Sequence, residues 1–317
     1  MAPKPKAGER LVEVDGRELK LTNLDKVLYP EAGFTKGQML DYYARIAPAI
    51  IPHLKDRPLT LRRFPEGVDD LDAAFFEKRC PKHRPEWVKT VTALAGPNAG
   101  DIDFCACQDV PTLIWIAQLA AVELHPSLSL AKAPERPTVL AFDLDPGPPA
   151  DVIDCCRVAL RIRELFGHFG LECFPKTSGS KGLQVYVPLN TKTDYEETKP
   201  FARAIAQLLE KQTPGEVVSK MAKVDRKNKV FVDWSQNHQR KTTIAVYSLR
   251  ARPRPTVSTP VTWEEVEGAL KSGKPERLVF EASDVVERFE QRRDLFAAVL
   301  ELKQKLPSFA KMSAAAG

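Results

Sequence analysis

The sequence predicts a mixed α/β protein, and three observations carry that prediction. The apolar residues switch repeatedly between a two-residue and a 3.6-residue period, as strands and helices of one chain do. Residues 138–212 read as strand, helix, strand, glycine-rich turn, strand and helix, which is an α/β unit. The composition, 43% hydrophobic and 28% charged over 317 residues, is that of an ordinary globular chain with material for one large core or two modest ones.

Residues 11–21 alternate apolar and polar about Asp15-Gly16, a hairpin signal. Thr35 with Gln38 forms a capping-box pattern ahead of Met39, Leu40, Tyr43, Ile46, Ala47 and Ile50, so an amphipathic helix should run to about His53. A strand is expected at 58–64. Asp109 and Pro111 open a largely apolar helix, 113–124, that should be buried. In the central block a strand at 138–144 leads to a helix at 151–168 that ends at Gly170. A strand at 171–176, the turn 178–182, a strand at 183–187 and a helix at 196–212 follow. Strands at 230–234 and 243–248, a capped helix from Thr262 to about Lys271 and a long charged helix from about Asp284 to Lys305 complete the chain. Residues 1–10 read as a disordered basic tail and 307–317 as a flexible one. No internal repeat or linker divides the chain, so 11–306 is expected to form a single unit, with halves at about 11–130 and 131–306.

The most apolar stretch, Leu113 to Val122, is broken by Gln118 and is far shorter than the roughly 20 residues a membrane span needs. The N-terminus lacks the apolar core of a signal peptide, which points to the cytoplasm and to no membrane partner. The six cysteines are then expected to be reduced thiols or metal ligands, without a disulfide framework. Cys80, His83, Cys105 and Cys107 supply four ligands in two close pairs, suiting a structural Zn²⁺; the alternative is buried, unpaired cysteines. Cys155, Cys156 and Cys173 read as core fillers.

Charge is concentrated. The window 220–254, which includes Lys220, Lys223 and Lys227, has ten cations against two acids, a local charge of +8, so the rest of the +5 chain sums to −3. A segment of this kind fits a polyanion, or else a solvated basic face. Inside it lies Asp233, an acid within an apolar strand pattern. Asp143 and Asp145, two residues apart at a strand end, project from one face, and like charges this close are most easily kept ionised by a divalent cation. Taken alone the pair could equally cap a helix. A third carboxylate on another strand completes the set that metal-assisted nucleotidyl transfer requires. Between them, Lys176 to Gly182 forms a turn rich in backbone donors with a hydroxyl and an ammonium, able to cradle phosphate but lacking Walker A spacing.

Several stretches, in order, then resemble one family. They are Thr22-Asn-Leu-Asp-Lys-Val-Leu-Tyr-Pro, Ala74-Phe-Phe-Glu-Lys, Trp115-Ile-Ala-Gln, Glu123-Leu-His, Phe142-Asp-Leu-Asp-Pro-Gly, Thr177-Ser-Gly-Ser-Lys-Gly-Leu, Phe231-Val-Asp-Trp-Ser-Gln-Asn and Tyr247-Ser-Leu-Arg. The chain resembles the archaeo-eukaryotic primase superfamily, and within it the polymerase domains of bacterial ligase D used in non-homologous end joining. The resemblance implies an RRM-like catalytic half joined to a smaller N-terminal α/β half, with the site in the cleft between them. It implies a DNA-directed nucleotidyltransferase adding NTPs or dNTPs to primer 3′ ends, at gaps and broken ends, in bacterial DNA repair. Asp143 and Asp145 would bind catalytic Mn²⁺ or Mg²⁺, and Asp233 the ion that activates the primer hydroxyl. His125, Ser178, Lys181, Gln236 and Arg250 would grip the nucleotide. Lys26 and Lys36 would receive the 5′-phosphate of a downstream strand, and Phe75 and Phe76 would stack on template bases; consecutive strand residues face opposite ways, so at least one of the two should be exposed.

Gln184 stands where the family often has histidine, which puts a nucleotide contact there in question. Glu13-Val-Asp-Gly-Arg17 has glutamate where a ligase needs its nucleophilic lysine, so no ligation is expected. The length leaves no room for a fused ligase or nuclease, and the ends favour a stand-alone protein; a Ku-like end-binding protein and a separate ligase would then be partners. Two rivals remain: a non-catalytic nucleic-acid-binding module, which has no use for three convergent acids, and an Asp-x-Asp phosphohydrolase, which usually wants a hydroxyl residue where Pro146 and Gly147 stand.

Overall fold

The computed structural model describes residues 9–94 and 100–307. The two expected tails therefore lie almost wholly outside the described residues. The hairpin forms as β1 (Glu9–Val14) and β2 (Arg17–Thr22), and a second small ladder joins β3 (Val27–Tyr29) to β4 (Phe34–Thr35). Thr35 and Gln38 make both reciprocal bonds of the capping box and start α1 (Lys36–Leu54), whose apolar stripe is buried. Around it lie β5 (Leu59–Arg63), β6 (Phe75–Glu77), β7 (Thr90–Leu94) and β8 (Asp101–Cys105), then α2 (Val110–Gln118) and β9 (Ala121–Pro126). The sheet runs β6-β5-β8-β7, with β9 also paired to β5.

The second half follows as β10 (Val139–Pro146), α3 (Val152–His168), β11 (Phe174–Thr177), β12 (Leu183–Pro188), α4 (Tyr195–Gln212), β13 (Val217–Val218) and β14 (Val230–Asp233). Its sheet has the order β11-β12-β10-β14-β13, antiparallel except for β13 with β14. Leaving out the short β13, this is a β-α-β-β-α-β unit with spatial order 2-3-1-4, the RRM-like arrangement. Leu140, Phe142 and Leu144 of β10 face a core built with α3, α4 and α5 (Trp263–Ser272). The intervening residues, Val139 and Ala141, belong to the other core, which α1 and α2 dominate and to which α6 (Ala282–Arg292) and α7 (Ala298–Glu301) contribute. The strand alternation thus gives one face of the sheet to helices and turns the other, with Asp143 and Asp145, toward the N-terminal half.

Three elements differ from the sequence expectation. The apolar helix stops at Gln118, and Ala120 takes a positive φ of 58° before β9 begins, so His125 lies on a strand. Residues 243–248 form no regular strand: Thr243 and Ala245 donate to the carbonyls of Pro126 and Leu124, but Tyr247 at φ 65° ends that pairing. The long C-terminal helix breaks at Arg293 (φ 59°), because Asp294 is captured by His53, by the Tyr247 hydroxyl and by the Phe296 amide. Among the described residues no helix is long and apolar enough to cross a membrane.

Candidate active site

Asp143 on β10 lies directly opposite Asp233 on β14, and Asp145 lies two residues farther along β10 on the same face. Three carboxylates therefore share one sheet face. Burial, then the neighbouring Asp145 and Asp233, hold the Asp143 carboxyl well above the usual range, opposed by a hydrogen bond from Gln184. Asp145 is raised in the same way, by burial and by Asp233, with Arg226 and Arg250 opposing. The Asp143 Oδ1 atom is buried without a hydrogen-bond partner. Asp233 is already engaged: its carboxylate accepts from the Ser235 amide at 2.8 Å and from the Gln236 side chain at 2.9 Å. Among the described residues no group of three or more His, Cys, Asp or Glu side chains is drawn together as a preformed metal shell. The donor chemistry nevertheless fits a hard dication, which would satisfy the orphaned oxygen and relieve the repulsion.

The register extends across the sheet: Asp143 pairs with Gln184, and Gln184 with Lys176. Gln184 is thus buried beside the acids. Lys176 is fully buried, donates to the Ser258 hydroxyl at 2.6 Å and to the Ile244 carbonyl at 3.2 Å, and is pushed down to about 7 by burial, with Asp143 opposing. Asn237 clamps the same strand from beyond β14, bonding both the amide and the carbonyl of Ala141.

The turn after β11 closes on itself, with the Ser178 hydroxyl accepting from the amides of Ser180 and Gly182. Glycine is required twice. Gly179 has φ +66° and a Cβ there would lie 2.6 Å from the Val257 carbonyl carbon; a Cβ on Gly182 would lie 1.9 Å from the Leu144 carbonyl oxygen. Lys181 is exposed at the tip. Arg250 donates to the Ser178 carbonyl at 2.6 Å and to Glu123 at 3.1 Å, tying the turn to the N-terminal half. Glu123, only 1% exposed, also receives Arg62, His125 and the Ala251 amide. Despite its burial, hydrogen bonding from His125 and the Arg250 charge hold its carboxyl well below the usual range. An ionised carboxylate can only accept, so the His125 Nε2 carries the hydrogen and Nδ1 is left free to accept. Burial, Arg250 and Arg62 lower the proton affinity of His125, against Glu123. Of the expected nucleotide residues, the structure thus brings His125, Ser178 and Arg250 into one network through Glu123, places Lys181 at its rim, and holds Gln236 against Asp233.

Phe75 and Phe76 are both exposed, at 42% and 58%, because β6 is a three-residue edge strand. Arg63 lies 5.1 Å over Phe75, and Arg62 5.3 Å over Phe76, whose ring meets His125 edge-on at 5.6 Å. Lys36 is buried, donates to the Thr22 carbonyl, and is pushed down to about 8 by burial and then by Lys26 and Arg63. Lys26 pairs with Glu66 at 2.6 Å. Lys220, Lys223 and Lys227 are exposed, around a short 3₁₀ turn at Lys223–Arg226.

The zinc expectation is corrected. Cys80 and Cys105 form a disulfide, which removes two of the four expected ligands as thiolates, and Cys107 is a buried free thiol whose proton affinity is raised by burial. The expectation that all six cysteines would be reduced fails at this pair. Cys155, Cys156 and Cys173 are buried as core fillers. Sequence reasoning also missed Glu123, Arg62, Lys176 and Asn237; the signal for Glu123 was its i, i+2 spacing with His125, hidden by reading the segment as a helix.

Residues 35–296 match the family model of the LigD primase-polymerase domain. The chain is 39% identical over 301 residues to the multifunctional non-homologous end joining protein LigD of Mycolicibacterium smegmatis, a match spanning 93% of this chain and 38% of that protein. It is 29% identical to the bifunctional non-homologous end joining protein LigD of Bacillus subtilis, over 87% of this chain and 43% of that one. The chain thus spans about two fifths of the length of these curated relatives. The polymerase domain of Mycobacterium tuberculosis ligase D, solved in complex with DNA, superposes with a TM-score of 0.81 at 38% identity, covering 90% of this chain and 99% of that one. With the RRM-like sheet and its acid face in place, these matches assign the chain to the LigD primase-polymerase domain family.

Proposed function

We propose that this chain is a DNA-directed nucleotidyltransferase that extends primer 3′ ends with NTPs or dNTPs, filling gaps and ends in bacterial non-homologous end joining. The observation that carries the reading is the placement of Asp143, Asp145 and Asp233 on one sheet face beside the Arg250–Ser178 turn. Asp143 and Asp145 would hold divalent ions, Mn²⁺ or Mg²⁺, with Asp233 completing the set; when bound, such ions lower the pKa of an attacking hydroxyl and neutralise phosphate charge. The protein's own groups do the rest. Arg250 and Lys181 offset charge on the departing pyrophosphate, Ser178 and the backbone of its turn position the phosphates, and His125 accepts through the Nδ1 that its bond to Glu123 leaves free. Gln236 orients Asp233. Phe75 and Phe76 supply a sequence-tolerant stacking platform for the template. Lys26 and Lys36, with Arg63 nearby, form a positive pocket suited to a 5′-phosphate, in which an arriving phosphate would displace Glu66 from Lys26.

Because the matched region is only part of the relatives, joining of the filled ends would fall to a ligase activity outside the aligned residues, and a Ku-like protein would recruit the chain to ends in the cytoplasm. The test is primer extension on a gapped duplex with Mn²⁺, NTPs and dNTPs being supplied separately, for the wild type and Asp143→Ala. Extension that vanishes in the variant is the expected result, and the two nucleotide lanes give the sugar preference. A wild type that binds the gap but extends nothing would leave only a binding module.

A further inference from the structure

An open groove of about 720 Å³ lies between α4 and the segment that follows Asp233, lined in part by Lys199, Arg203, Trp234, His238 and Arg240. None of these residues belongs to the nucleotide turn or to the pocket at Lys26 and Lys36. Resting on the reading that Asp233 faces the 3′ end being extended, the geometry points to this groove as the seat of the primer strand's phosphate backbone, upstream of that end.

Five observations converge. On α4, residues 196, 199, 203 and 207 recur at three- and four-residue spacing, so Lys199 and Arg203 stand one turn apart on a single stripe with one acid, Glu196. Like charges at that spacing disfavour the helix, a cost that a bound polyanion removes. The cations on the outer face of α3 are spent on acids: Arg157 on Asp154, Arg161 on Glu216, Arg163 on Glu267. By contrast, Lys199, Arg203, Arg240 and Lys241 make no ion pair among the described residues.

Their field is felt locally, since burial and then Lys199, Arg240 and Lys241 lower the proton affinity of His238, against Glu196. The groove is also built in advance. The Arg203 guanidinium lies 5.3 Å over the Trp234 ring, and the indole N–H is anchored on the Ser219 carbonyl at 3.0 Å. Finally, the groove begins one residue past the acid face along the chain: Trp234 follows Asp233 directly, Gln236 bonds the Asp233 carboxylate, and the His238 amide bonds the Gln236 carbonyl. A strand whose terminal hydroxyl lies at Asp233 would find its next phosphates on these cations. Base-independent contacts to phosphate are what a polymerase needs where it must accept any sequence.

The experiment compares DNA affinity by fluorescence anisotropy for a template strand alone and for the same template annealed to a short and a long primer, at several salt concentrations. It is run on the whole chain as wild type and as the Lys199→Ala/Arg240→Ala double variant, with Lys199→Gln/Arg240→Gln as the milder pair should the first fold poorly. The wild type should gain affinity as the primer lengthens. The double variant should lose about tenfold of that gain and about two units of the salt slope, one for each phosphate contact removed, while its affinity for unprimed template is unchanged. An undiminished gain in the variant, an equal loss on unprimed template, or no gain in the wild type would overturn the proposal. The comparison needs no catalysis, so a failed extension assay would sink the polymerase reading and leave this one to be judged separately.

Discussion

Asp143 combines burial, an orphaned carboxylate oxygen and two acidic neighbours, so it is costly to the fold as long as nothing positive reaches it. Asp143→Asn keeps the shape and removes the charge. The expected outcome is loss of nucleotidyl transfer by more than about a hundredfold, the upper end of what outer-shell residues of metal sites cost, together with a higher melting temperature of the metal-free protein. A substitution that costs both activity and stability would place the residue in the frame of the fold. Glu123 has the opposite character, a buried acid fully committed to Arg62, His125, Arg250 and the Ala251 amide. Glu123→Gln should destabilise by about 3 kcal/mol, since it leaves buried cations under-compensated, and should raise the KM for nucleotide more than it lowers kcat, because His125 and Arg250 lose their common anchor. A urea melt and steady-state kinetics check the two halves of that statement. The three acids at 143, 145 and 233 were legible in the sequence because strand alternation puts them on one face. Glu123 and Lys176 were not, because Arg62 and Arg250 reach Glu123, and Ser258 and Ile244 reach Lys176, from more than 60 residues away, and the one local partner, His125, was read as part of a helix.

At the scale of elements, what was legible depended on local punctuation. Capping boxes form at Thr35, Asp151, Asp194 and Thr262, of which only the box at Thr35 and the cap at Thr262 were expected, and the helices they start begin within a residue of the expected positions. Where the chain turns without glycine or proline, expectation failed: Ala120, Tyr247 and Arg293 each take a positive φ that tertiary contacts impose and that no local residue announces. The Cys80–Cys105 pair failed for a related reason, since Cys80 reaches β8 only through a loop whose amide bonds the Asp103 carbonyl. The edge strand β6 gives the clearest prediction at this scale. Both of its phenylalanines are exposed and backed by arginines, so Phe76→Ala should reduce affinity for a single-stranded template overhang by about 1–3 kcal/mol, the value of one stacked base, with little change in melting temperature. A binding titration on overhangs of differing sequence would show a uniform loss; a loss confined to one sequence would mean base recognition in place of stacking.

For the whole molecule, two cores meet at the acid face, so what binds there is linked to the stability of the fold. Asp143 and Asp145 bind protons more tightly folded than unfolded. Their contribution is therefore present below the ordinary carboxylate range, near pH 4, and is lost as pH rises through their raised folded values. His125 and Lys176 act in the other direction, because their proton affinities are lowered by folding and their contributions grow as pH rises. The raw pH profile mixes these terms, whereas the difference between wild type and Asp143→Asn isolates the acid. That difference should be close to zero near pH 4 and should grow in favour of the variant toward neutrality. Adding Mn²⁺ should reverse it: at a hundredfold excess over Kd a bound ion stabilises by about 2.7 kcal/mol, and the wild type alone should show that gain, most strongly where its carboxylates are ionised. Thermal melts in chelator and in Mn²⁺, repeated from acid to neutral pH, measure both. A metal-induced shift that is equal in the two proteins would move the ion away from Asp143, whereas a shift confined to the wild type and rising with pH ties the acid face, the ion and the stability of the fold into one equilibrium.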